Sequence, residues 1–101
     1  MLAMLESEIE KALKIECKLL GLVLIKLHGF NQIGIPDRLL LARGGRVLFL
    51  ELKRPKGVTA KRQLYWQKKL RQLGFTSEIT YTTEAAIVQA RAHAARAGAG
   101  S

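Results

Sequence analysis

A pair of glycines does most to limit what this chain can fold into. Residues 39–42 and 47–52 are apolar runs, separated by Arg43-Gly44-Gly45-Arg46. Glycine accepts the positive φ of tight turns, so two glycines between such runs predict a β-hairpin. Strand side chains alternate between faces. Leu48, Leu50 and Leu52 therefore share one face, and Phe49, Glu51 and Lys53 share the other. A carboxylate and an ammonium project side by side from an otherwise apolar strand. Asp37 lies at the start of the partner strand, level with the end of the second one, so two acids and a lysine converge.

Hard divalent cations prefer carboxylate and carbonyl oxygens and keep several waters. Asp37, Glu51 and the backbone carbonyl of Leu52 form a candidate ligand set for Mg²⁺, with Mn²⁺ as a substitute. Lys53 beside them suits stabilisation of charge on a phosphate. The alternative is a weak surface ion pair between Glu51 and Lys53. Pro36-Asp37 one hairpin arm upstream, on a strongly basic chain, favours the metal set.

Seventeen Lys and Arg against eight Asp and Glu give the 101 residues a net charge of +9. That excess is the footprint of a polyanion partner, DNA before membrane. No apolar run approaches a spanning helix, and no cleavable signal opens the chain. At 49 % hydrophobic residues the chain supports a folded core. Its length fits one domain, expected over 1–97, with 98–101 a disordered tail. The single cysteine, Cys17, allows no internal disulfide and fits a reducing compartment such as the cytoplasm. Cys17 also falls at an apolar helical position. His28 and His93 lack zinc spacing.

Leu2, Leu5, Ile9, Leu13, Cys17 and Leu20 recur every three or four residues. They predict a helix over 2–20, ended by Gly21. A strand follows over 22–27, then a loop over 29–34 in which Asn31 and Gln32 are candidate phosphate or sugar contacts. Pro55 ends the second hairpin strand. A helix capped by Thr59 runs to about Leu73, with Leu64, Leu70 and Leu73 expected in the core and Tyr65 and Trp66 as core or base-stacking aromatics. A strand over 75–82 and an alanine-rich helix over 84–97, capped by Thr82 or Thr83, complete the order.

Pro36-Asp37 followed by Glu51-Leu52-Lys53 resembles the PD-(D/E)xK nuclease superfamily. More narrowly, Gly34-Ile35-Pro36-Asp37, Phe49 to Lys53 and Gln63 resemble the VRR-NUC domain, over about residues 6–79. The resemblance implies an α/β, restriction-endonuclease-like core of αβββαβ order, a small mixed sheet flanked by helices, with a C-terminal helix added. It implies a metal-dependent, structure-selective DNA endonuclease, similar to Holliday-junction resolvases that act as homodimers on branched DNA in replication and repair. Asp37, Glu51 and Lys53 match the active-site positions and Gln63 the supporting helix glutamine. The resemblance also implies an acid from the first helix in the metal shell, and the spacing of Glu10, Leu13 and Gly21 favours Glu10 as that ligand, with Glu6 and Glu16 as competitors. Arg38, Arg54, Lys56, Lys61 and Arg62 are expected at DNA phosphates. A non-catalytic basic nucleic-acid-binding module is the alternative.

Overall fold

A computed structural model describes residues 6–27, 34–53 and 61–99. Helix α1 spans Glu6–Leu20, strand β1 Val23–Lys26, β2 Arg38–Ala42 and β3 Arg46–Leu52. Helix α2 spans Lys61–Gln72, β4 Thr76–Thr80 and α3 Thr83–Ala99. The four strands lie in the order β1-β2-β3-β4. The first two pairings are antiparallel, and β4 joins β3 in parallel. A parallel neighbour needs a crossover, and α2 supplies it.

The hairpin forms where the glycines put it. Ala42 pairs with Arg46, and both Gly44 and Gly45 sit at φ +73. Leu40, Leu48, Leu50 and Leu52 face a core completed by Ile9, Leu13 and Cys17 of α1 and by Ala86 and Ala90 of α3. This face thus carries two helices. Gly21, again at φ +73, ends α1, and the Leu22 amide donates to the Cys17 carbonyl at 2.9 Å, closing the last turn. An ion pair ties α3 to α1, with Arg91 Nε 2.8 Å from Glu16 Oε2. The buried His93 ring reaches the Leu40 carbonyl at 3.0 Å, which fixes α3 to β2.

Two expectations change. Of the three leucines expected in the α2 core face, only Leu70 is buried; Leu64 and Leu73 are 55 % and 62 % exposed. Positions 63, 67 and 70 form the inward row at helical spacing, so the buried partners of Leu70 are glutamines rather than leucines. The C-terminal helix also continues through Gly98 and Ala99 into the stretch expected as tail. Buried Ala97 and the strong helix propensity of alanine carry it there. Thr82 is the cap, its Oγ1 accepting from the Ala85 amide at 3.1 Å. Thr59 lies outside the described residues, as do Leu2 and Leu5.

Candidate metal and nucleic-acid site

The hairpin register places the acids. Arg38 pairs with Leu50 and Leu39 with Phe49, so one step further Asp37 stands opposite Glu51. Alternation turns Glu51 away from the Leu50 and Leu52 face that packs on α1 and α3. Directly opposed like charges on a sheet destabilise each other unless something neutralises them. Burial pushes the Glu51 carboxyl up to about 7, and the charge of Asp37 adds to the shift. Lys53, next on the same face, pulls the other way. Its backbone amide donates to the Thr80 carbonyl at 2.8 Å, which fixes the end of β3.

One further step along the register sets fully buried Pro36 opposite Leu52. Proline has no N–H to donate. A ladder continued that far would have no donor to offer the Leu52 carbonyl from that side.

Arg38 occupies a different place from the one expected. Strand alternation sends it to the α1 face, where it is only 4 % exposed. Its guanidinium binds Glu10 Oε2 through Nε at 3.0 Å and through Nη2, and reaches back to Asp37 Oδ2 through Nη1 at 2.5 Å. Buried charge is tolerated when it is paired and hydrogen-bonded, and here one arginine satisfies two acids. Burial raises the Glu10 carboxyl, but the Arg38 hydrogen bond and charge outweigh it, helped by Lys26 and Lys14, and hold it below the usual range. Glu10 is thus taken up by Arg38. The first-helix acid in electrostatic reach of Glu51 is Glu6.

The donor set fits a hard cation. With Oδ2 held by Arg38, the Oδ1 atom of Asp37 is buried without a hydrogen-bond partner. A buried acceptor left alone is costly, and it lies next to a second carboxylate that repels it. A divalent ion relieves both penalties. Among the described residues no group of three or more His, Cys, Asp or Glu side chains is arranged to hold a metal. Side-chain ligands here stop at the carboxylates of Asp37 and Glu51, a number that Mg²⁺ accepts where waters or substrate oxygens fill its other positions.

Helix α2 begins beside this cluster. Gly34 has φ +94, and an added Cβ would lie 2.6 Å from the Arg62 carbonyl carbon and oxygen. Only glycine lets the strand-entry turn of Pro36 and Asp37 approach the first turn of α2 so closely. Lys61 and Arg62 are exposed there, and Gln63 is half-buried on the inward row. Arg54, Lys56, His28, Asn31 and Gln32 lie outside the described residues. Tyr65 is exposed and packs edge-on against Trp66, with ring centroids 5.5 Å apart. Sequence reasoning missed the roles of Arg38 and Gly34. Alternation places Arg38 on the leucine face, where a charge needs a buried partner, and that signal was present.

No family model matches the chain, and no curated protein matches it. The architecture is a restriction-endonuclease-like α/β fold, a mixed four-stranded sheet with helices on its faces. A solved structure described as a VRR_NUC domain superposes on it with a TM-score of 0.71 at 23 % identity, covering 80 % of this chain and 88 % of its own. The chain therefore has the fold of a VRR_NUC domain.

Proposed function

We propose that this chain is a divalent-metal-dependent DNA endonuclease that hydrolyses phosphodiester bonds in branched DNA. The observation that carries the proposal is Asp37 close enough to Glu51 to raise its carboxyl, with Asp37 Oδ1 buried and without a partner and Lys53 in reach of the same carboxylate. A module that only bound DNA would gain nothing from two carboxylates facing phosphate. The VRR_NUC likeness and the +9 charge support the same conclusion.

Asp37, Glu51 and the Leu52 carbonyl hold Mg²⁺ or Mn²⁺. When bound, the ion polarises a phosphate oxygen and acidifies water. The Lys53 ammonium stands where negative charge builds on the phosphate, and a fixed cation there lowers the barrier. Arg38 keeps one oxygen of Asp37 in place so that the other faces the ion, and Glu10 serves the site by anchoring Arg38. Gln63, on the first turns of α2, supports Lys53 or the scissile phosphate. Lys61 and Arg62, with Arg54 and Lys56 before them, bind the DNA backbone. The products are 5′-phosphate and 3′-hydroxyl ends.

The chain works as a homodimer, since two sites related by a two-fold axis suit paired nicks in a four-way junction. Leu64 and Tyr65 on α2 and Leu73 just beyond its end supply exposed apolar surface for the contact. Among the described residues no helix is long and apolar enough to cross a membrane. The proposed substrate and the lone Cys17 support an activity in the cytoplasm, in replication or repair.

Incubation with Mg²⁺ or Mn²⁺ and labelled linear, flap, splayed and four-way junction DNAs tests the proposal. The expected result is metal-dependent cutting, fastest on the junction. Equal rates on linear duplex by a monomer would remove the resolvase part, and no cutting of any substrate would remove the nuclease part.

A further inference from the structure

The cleft between α1 and β1 is lined by Ser7, Glu10, Lys11, Lys14 and Lys26 and has a volume of about 310 Å³. We propose that it is a second phosphate site, holding a non-scissile phosphodiester of duplex DNA beside the metal site. The inference rests on the DNA assignment made for Asp37 and Glu51, and it adds residues that the sequence motifs do not touch.

Three lysines converge on one hollow from two elements. Ser7, Lys11 and Lys14 fall at i, i+4 and i+7 on α1 and share a face. Lys26 ends β1, the edge strand, and pairs with Arg38. All three lysines are exposed. Lys14 and Lys26 both lie in electrostatic reach of Glu10. That carboxylate is bound by Arg38, which also serves Asp37, so it offsets the three ammonium groups only in part. Among the described residues none of the three lysines forms an ion pair with an acid. Three ammonium groups around a single shared carboxylate keep a net positive charge, and a bound anion offsets it.

The cleft is also joined to the catalytic cluster. Glu10 lines it, Glu10 holds Arg38, and Arg38 holds Asp37. A strand whose scissile phosphate lies at Asp37 and Glu51 carries a further negative charge about every 3.4 Å of helix axis. Its backbone continues past the cluster, and among the described residues the lysine cleft offers it a basic hollow joined to the cluster through Glu10 and Arg38. Ammonium groups act as point charges without the planar fork of arginine. Together with a serine hydroxyl they suit a backbone contact that fixes register and reads no sequence.

The test is binding of a fluorescent duplex measured by anisotropy in EDTA, across a salt series, so that no cleavage interferes. Relative to the wild type, Lys11→Ala, Lys14→Ala and Lys26→Ala should each lower the slope of log K against log salt by about one. The triple variant should lower it by about two to three. The charge-matched control Arg43→Ala/Lys68→Ala/Lys69→Ala, at exposed positions away from the cleft, should lower it by less than about one. In Mg²⁺ the cleft variants should raise KM and leave kcat unchanged. If the two triples shift the slope equally, or the cleft triple shifts it less, the site does not exist. The single variants decide the question if the triple does not fold. A wild type that never cuts DNA would defeat the nuclease proposal while leaving the slopes readable, so the two failures are distinguishable.

Discussion

Replacing Arg38 with methionine removes the guanidinium that joins Glu10 to Asp37. Methionine keeps most of the apolar stem, so the main loss is charge. The arginine is 4 % exposed and the Glu10 side chain 15 %, so the variant leaves a nearly buried carboxylate alone. Breaking a buried pair by removing one partner costs about 3–5 kcal/mol. In a domain of this size each kcal/mol moves Tm by about 4–8 °C, so Tm should fall by roughly 12 °C or more. The loss depends on pH, and its sign follows from Glu10. In the wild type the folded Glu10 carboxyl titrates below its ordinary value. Its contribution is therefore present above that ordinary value and fades as pH falls through the folded one. In Arg38→Met burial is opposed only by the weaker pull of Lys26 and Lys14, and the same carboxyl moves up. The variant is then penalised at neutral pH and relieved on acidification. Urea unfolding followed by circular dichroism should show the gap between the proteins wide at pH 7 and narrower near pH 4. The double variant Glu10→Met/Arg38→Met should recover much of the loss, because an apolar pair leaves no stranded charge on that side. A gap under about 1 kcal/mol at pH 7, far below the cost of a broken buried pair, would refute the reasoning. So would a gap that does not change with pH.

Three shorter predictions concern other parts of the same cluster. The metal-free Glu51 carboxyl sits near 7, and a cation needs it ionised, so Mg²⁺ affinity by calorimetry should rise between pH 6 and pH 8, with proton release; a flat profile contradicts this. Gly34→Ala meets both φ +94 and the Arg62 backbone at 2.6 Å, so it should destabilise by about 1–3 kcal/mol and lower activity by displacing the first turn of α2; wild-type stability contradicts the close approach. Leu70→Ala should cost about 2–5 kcal/mol and Leu73→Ala under about 0.5 kcal/mol, in unfolding experiments that separate the two faces of α2.

Much of this was legible in the sequence because the relevant signals are local. Gly44-Gly45 set the hairpin, and alternation then put Glu51 and Lys53 on one face and three leucines on the other. The stripe of Ile9, Leu13 and Cys17 marked the buried side of α1. The inward face of α2 was not legible, because its row carries Gln63 and Gln67 with Leu70, and helical periodicity weakens when buried positions are polar. The role of Arg38 needed tertiary information. Following Asp37 in sequence suggested a shared role, whereas on a strand consecutive residues point to opposite faces. Its partner Glu10 lies 28 positions away, and only the packing of α1 on the sheet brings the two together.

The central claim is that Asp37 and Glu51 form a cation site that cuts DNA. Single-turnover cleavage of a labelled four-way junction, by the wild type and by Glu51→Gln at equal bound fraction, tests it most directly. Glutamine keeps the size of the side chain and removes its charge. The account predicts Mg²⁺-dependent cutting by the wild type and loss of cutting by the variant, with DNA binding equal or tighter because one repelling carboxylate is gone. Cutting by Glu51→Gln at the wild-type rate in Mg²⁺ would contradict it.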